Sequence, residues 1–134
     1  IKDIHKNYLP MVEAGATTVW ESFPTGTTGS GGFPTRSHCH AWSSAPSRFL
    51  NRIILGVKES SPGAASVRIS PRLSGLTWAR GNTATVRGPV SVSWKINGEK
   101  LEVTYAAPEG MAVEFVKNES HQPYTVVVNG KRID

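Results

Sequence analysis

At 134 residues the chain has room for one ordinary domain, or a small domain with an appendage. An apolar share of 38% is low but compatible with a core, and thirteen Gly with nine Pro point to many turns. Fifteen Lys and Arg against ten Asp and Glu give a net charge of +5, yet the basic residues (Lys2, Arg36, Arg52, Arg80 and Lys100 among them) form no dense block, so they read as solvated surface and no nucleic-acid partner is expected.

The pattern changes character near residue 57. Before it the signal is helical. In "IKDIHKNYL" the residues Ile1, Ile4 and Tyr8 fall roughly on one face. Pro10 suits the first turn of a short second helix, "PMVEA", and Gly15 suits its left-handed end. Residues 24 to 37, rich in Gly, Pro, Ser and Thr, read as a loop. A further helix follows, capped by Ser43 or Ser44, with Pro46 tolerated in its first turn, a buried stripe of Phe49, Leu50, Ile53 and Ile54, and Gly56 at its end.

After residue 57 short strands take over. "SVRIS" runs to Pro71 and "TATVR" to Gly88-Pro89. In "VSVSWKINGEKLEVTY", Asn97-Gly98 is a preferred two-residue hairpin turn. Centring the hairpin there pairs Ile96 with Glu99, Trp94 with Leu101, Val92 with Val103 and Val90 with Tyr105. The apolar side chains then share one face and Ser91, Ser93, Lys95, Lys100, Glu102 and Thr104 the other. "MAVEFV" and "YTVVV" supply further strands, and Asn129-Gly130 repeats the turn signal. Strands with one wet and one dry face predict an antiparallel β-sandwich. The first 56 residues, with too few helices to bury both faces of each, need a partner.

Which residues carry chemistry is a narrower question. Glu99, Glu102, Glu109, Glu114 and Glu119 sit at turns or outward strand positions, and Asp3 and Glu13 on helix surface. Glu21 differs, since it closes an apolar run directly after Trp20 and stands at the mouth of the Gly-rich stretch. It is either a boundary carboxylate in solvent or a catalytic one. In "RSHCHAW" a His can donate to a sugar hydroxyl and a Trp offers a flat apolar face to a sugar ring. The plainer alternative is that one His caps the helix and Trp42 is core. Ser37 beside His38 makes no triad, because no orienting acid is nearby. Cys39 alone excludes an internal disulfide, and zinc on His38, Cys39 and His40 is not expected from such close spacing. No phosphate loop, metal signature, secretory signal or stretch of membrane-spanning length is present, so neither a cofactor nor a membrane partner is expected. The chain begins at Ile1 rather than Met, and a piece of something longer is expected.

Taken together, "GATTVWES", "SHCHAWSSAPSRFLNRIILGV", "PG…VRISPRLSGLTWARG" and "VSVSWK" resemble the C-terminal portion of the α-L-rhamnosidases of glycoside hydrolase family 78, in order and across nearly the whole chain. The resemblance implies a mainly β fold: a C-terminal antiparallel β-sandwich, residues 57–134, preceded by the last helices and active-site loop of an (α/α)6 catalytic barrel, residues 1–56. It implies an inverting hydrolase of terminal α-L-rhamnosyl residues that needs no cofactor. Glu21 matches the general base of a T-T-x-W-E motif. His40 matches the sugar-contacting His of an S-x-x-H motif, with Trp20 and His38 beside them as candidate substrate contacts. The family's general acid lies upstream, so the partners implied are a rhamnoside and the remainder of the barrel, and the chain alone is expected to be inactive. The alternative is a non-catalytic sandwich, structural or carbohydrate-binding, suggested by Trp78, Trp94 and Tyr105; the hairpin register sends Trp94 inward and leaves Trp78 able to face solvent.

Overall fold

A computed structural model describes residues 1–22 and 37–133. Residues 24–36 of the predicted loop lie outside the described residues. The chain divides into two compact units, residues 1–48 and 49–134.

The first unit opens with helix α1, Lys2–Glu13. It runs straight through Pro10, where the sequence suggested a break and a second helix. Proline forfeits one N–H bond, but its carbonyl stays in the ladder: Ala14 N donates to Pro10 O at 3.1 Å. Met11, fully buried, anchors the last turn. The helix ends as expected at Gly15 (φ 78°), where Ala16 N donates to Met11 O and Gly15 N to Val12 O, the paired bonds of a Schellman stop.

The second helical stretch is less regular than the sequence suggests. A 3₁₀ turn, Ala41–Ser44, leads into α2, Ala45–Phe49, and then a π-helical turn, Leu50–Ile54. Ser44 does not cap the helix; its hydroxyl donates back to Ala41 O at 2.6 Å. Of the expected stripe, Ile54 is buried and Ile53 partly so, while Phe49 and Leu50 face solvent. The π turn, closed by Leu55 N donating to Leu50 O, widens the helical register and rotates residues 49–50 away from 53–54. Gly56 then reverses the chain with φ 73°, and its carbonyl accepts Ser70 N at 3.0 Å.

Among the described residues the second unit contains eight strands: β1 (Val57–Glu59), β2 (Ser66–Ile69), β3 (Trp78–Thr85), β4 (Gly88–Asn97), β5 (Lys100–Ala106), β6 (Ala112–Phe115), β7 (Thr125–Val128) and β8 (Lys131–Ile133). They form a three-stranded sheet, β1-β2-β6, and a five-stranded sheet, β3-β4-β5-β7-β8. One apolar core joins them: Val57, Val67 and Ile69 from the first, Val90, Val92, Trp94, Leu101, Val103, Val126 and Val128 from the second. Trp94 is the largest fully buried side chain, and its indole N–H donates to Ile54 O at 2.8 Å, so its one polar atom is satisfied. The sandwich is mainly antiparallel, but each sheet holds one parallel pair, β2 with β6 and β5 with β7. Short turns dictate antiparallel pairing only for consecutive strands, and these pairs are joined through strands of the opposite sheet.

The central hairpin corrects one reading. Trp94 pairs with Val103, Ile96 with Leu101 and Asn97 with Lys100, so the turn residues are Gly98 and Glu99. Only Gly98 has a positive φ there, which fits a turn with Gly first and not one needing positive φ at both centres. Asn97 stays in the strand, where its amide donates to the Glu102 carboxylate at 2.7 Å. The partner strand slides by two residues, an even number, so every side chain keeps its predicted face. At Asn129-Gly130 both residues do have positive φ, and β7 turns into β8 as expected.

Between β6 and β7, Asn118 and His121 lock a one-turn helix, Glu119–His121. The Asn118 carboxamide oxygen accepts Ser120 N, and its nitrogen donates to Ser70 Oγ and Pro71 O. Asn118 is therefore a cap whose amide points inward. His121, with no exposed surface, accepts Asn118 N at Nδ1 and donates from Nε2 to Pro71 O at 2.6 Å. Burial pushes the imidazole below its ordinary value; the Pro71 hydrogen bond opposes this and Lys117 adds to it. The folded state thus holds a neutral ring, while the unfolded chain takes up a proton below about pH 6.5. The stability contribution is complete above that value and is lost as pH falls from there through the folded pKa, at up to about 1.4 kcal/mol per pH unit. Urea midpoints at pH 7.5 and 5.0 are expected to differ less for His121→Gln than for the parent; equal acid losses would contradict this account.

Candidate active site

After the Gly15 turn, residues 18–21 meet the returning segment 37–40. Glu21 N donates to Ser37 O at 3.0 Å and His40 N to Val19 O at 2.9 Å, while the Thr18 hydroxyl donates to His38 O. These bonds make a short antiparallel clasp that sets the segment carrying Glu21 against the one carrying His38 and His40.

Each side chain has a distinct setting. Trp20 is 7% exposed, and its ring lies 4.7 Å from that of His38, tilted by 31°. His38 itself is exposed. His40 is half-buried and occupies the N-cap of the 3₁₀ turn, but its side chain makes no capping bond; its ring instead meets Trp42 edge-on at 5.5 Å. Trp42 is 89% exposed. Ser37 and Cys39 bond each other locally: the Ser37 hydroxyl donates to Cys39 O and accepts Cys39 N.

Glu21 stands apart from its fellows. It is half-buried, whereas every other Asp and Glu among the described residues is exposed. Its backbone N–H is held by Ser37 O within the clasp. Among the described residues no group of three or more His, Cys, Asp or Glu is arranged to hold a metal ion, and no helix is long and apolar enough to cross a membrane.

Two braces escape a linear reading. The Tyr8 hydroxyl donates to Ser43 O at 2.8 Å, tying α1 to the turn that carries His40 and Trp42. Burial pushes the Tyr8 phenol up, which keeps it a donor. Thr18 fixes the His38 carbonyl in the same way. Only the "TT" before Val19 hinted at the second, and nothing in the sequence at the first, whose partners are far apart along the chain.

The bacterial α-L-rhamnosidase six-hairpin glycosidase domain matches residues 1–54, and the bacterial α-L-rhamnosidase C-terminal domain matches residues 56–132. The chain belongs to the α-L-rhamnosidases of glycoside hydrolase family 78. Within that family it corresponds to the C-terminal portion. An α-L-rhamnosidase of Alteromonas sp. (strain LOR) is 31% identical over 133 residues, 97% of this chain and 14% of the relative. The crystal structure of the family 78 rhamnosidase of Bacillus sp. GL1 superposes with a TM-score of 0.79 at 38% identity, covering 95% of this chain and 13% of that one. The α-L-rhamnosidase of Streptomyces avermitilis, crystallised with L-rhamnose, gives 0.64 at 28% identity, covering 78% and 10%. The chain thus spans about one seventh of the Alteromonas rhamnosidase. The six-hairpin match takes in the whole described clasp, and the C-terminal match takes in β1 to β7 entire.

Proposed function

We propose that this chain supplies the general base and the C-terminal sandwich of an inverting α-L-rhamnosidase that removes terminal α-L-rhamnosyl residues from glycosides. The observation that carries the reading is Glu21, the half-buried carboxylate of the clasp, within the segment matched by the six-hairpin glycosidase domain. Residues 1–56 are the last helices and active-site loop of the barrel in this reading, and residues 57–134 the sandwich.

Glu21 takes a proton from a water molecule as the water oxygen bonds to the anomeric carbon. The glycosidic C–O bond breaks on the opposite face, its electrons pass to the leaving oxygen, and a carboxylic acid protonates that oxygen. Such a pair stands roughly 6.5–9.5 Å apart to admit the water. The acid belongs to the remainder of the barrel, as the family resemblance implies. His40 offers a ring nitrogen to a sugar hydroxyl, and His38, backed by Trp20, borders the same clasp. Proton transfer between carboxylates and water calls for no cofactor. The chain by itself is inactive in this reading, since loss of one acid or base costs typically ~10²–10⁴-fold. The exposed apolar side chains of the first unit, Ile1, Leu9, Val12 and Trp42, suit contact with the missing barrel.

The stereochemistry of the product tests the mechanism. Proton NMR of the complete enzyme acting on an aryl α-L-rhamnoside is expected to show β-L-rhamnose first, with the α anomer growing in by mutarotation. Initial release of the α anomer would remove Glu21 from the role of base in a single displacement.

A further inference from the structure

We infer that Tyr8 is a positioning residue of the candidate site: its hydroxyl holds the turn that presents His40 to the sugar, and so sets substrate affinity rather than the chemical step. The inference rests on the rhamnosidase reading, in which His40 contacts the rhamnosyl ring. Ile4, Tyr8 and Met11 recur at the spacing of one face of α1, and Met11, fully buried, seats that face. Tyr8 is half-buried on it, and its hydroxyl donates to Ser43 O at 2.8 Å.

Through this bond one helix reaches both sides of the clasp. At the end of α1, Ala16 N donates to Met11 O, and the chain passes directly into the segment 18–21 that carries Glu21. On the other side, His40 leads into the 3₁₀ turn Ala41–Ser44, which holds the carbonyl that Tyr8 meets. The path from Tyr8 to His40 is short. Ser43 N donates to His40 O at 3.0 Å, and His40 N donates to Val19 O at 2.9 Å. His40 is therefore held at its N–H by the clasp and at its carbonyl by the turn. Its side chain makes no capping bond, and its ring meets Trp42, a residue of the same turn, at 5.5 Å. A shift of the turn carries both rings with it.

The bonds that hold Glu21 are separate. Glu21 N donates to Ser37 O and the Thr18 hydroxyl to His38 O, and neither bond involves Ser43 or its turn. Removing the Tyr8 hydroxyl therefore loosens His40 without releasing the carboxylate. A contact made alike in the ground state and the transition state appears in KM, whereas one made only in the transition state appears in kcat. The apolar body of the Tyr8 ring is enough to seat the helix, and phenylalanine keeps it. What the hydroxyl adds is a single directed bond, aimed at the turn after His40.

Tyr8→Phe, His40→Ala and the double variant of the complete enzyme test this, with p-nitrophenyl α-L-rhamnoside as substrate and the melting temperature measured in parallel. Tyr8→Phe is expected to raise KM by ~3–10-fold, the scale of one lost hydrogen bond, with kcat within about twofold of the parent and the melting temperature little changed. His40→Ala is expected to raise KM further, and Tyr8→Phe to add little on top of it, because both act through one contact. A parental KM in Tyr8→Phe overturns the inference. So does the same rise in KM from Tyr8→Phe with and without His40, or a fall in kcat and melting temperature with no rise in KM; each would make the hydroxyl a structural tie alone. Failure of the underlying site reading shows differently, as a His40→Ala enzyme that keeps the parental KM, and it removes the inference with it.

Discussion

Glu21→Gln in the complete enzyme is expected to abolish turnover of an aryl α-L-rhamnoside, lowering kcat by ~10²–10⁴-fold or more, with KM little changed. The amide keeps the volume and one oxygen of the carboxylate, so the half-buried position is filled and the backbone bond from Glu21 N to Ser37 O persists. What disappears is the capacity to take a proton from the attacking water. A group used only in the transition state shows this signature, a loss in kcat without a matching loss of ground-state binding. The melting temperature should stay within a degree or two of the parent, which separates loss of chemistry from loss of fold. Near-normal turnover would show that the carboxylate is a boundary residue and that the base lies elsewhere.

Gly56→Ala is expected to be strongly destabilising to the sandwich. Two costs combine at this position. A φ of 73° places any L-residue with a Cβ in the left-handed region, at about 1–2 kcal/mol. A Cβ would also overlap the Pro71 nitrogen and the Ser70 carbonyl, which are backbone atoms and cannot swing aside. Ser70 N is bonded to Gly56 O, and Arg72 N to Ile53 O, so the two segments cannot part without losing hydrogen bonds that flank the core. A loss of about 4 kcal/mol or more is expected, a large share of a typical 5–15 kcal/mol stability. Gly15→Ala is the internal control: its φ is 78°, but no atom stands within 4 Å of the added Cβ, so only the conformational cost applies. Urea unfolding should rank the two clearly, and a Gly56→Ala protein no weaker than Gly15→Ala would refute the close-approach argument.

Much of the local structure was legible because it is written in neighbouring residues. The alternation of "VSVSWKIN" and "KLEVTY" put Val90, Val92, Trp94, Leu101 and Val103 on one face, and all five are core. Gly15 marked the end of α1 and Asn129-Gly130 the last turn. Other local signals misled for identifiable reasons. Pro10 read as a start, yet a helix anchored by buried Met11 absorbs one missing N–H. Asn97-Gly98 read as the turn, but the cross-strand bond from Asn97 to Glu102 holds Asn97 in the ladder. The stripe at Phe49 and Leu50 assumed a regular helix, which the π turn denies.

The candidate site divides along the same line. Glu21 stood out in the sequence as the carboxylate that closes an apolar run, and His38 and His40 as a cluster. Their meeting in one clasp, and the Tyr8 brace beneath it, appear only in three dimensions, since the bonding partners are separated along the chain by segments whose sequence does not name them. By itself the sequence determined the faces of the strands, the helix stop at Gly15 and the inward Trp94, because side-chain periodicity and backbone φ act over a few residues. The tertiary structure alone decided the two parallel pairings, the backbone contact that demands Gly56, the buried neutral His121 and the half-burial that sets Glu21 apart, because each depends on which distant segment packs against it.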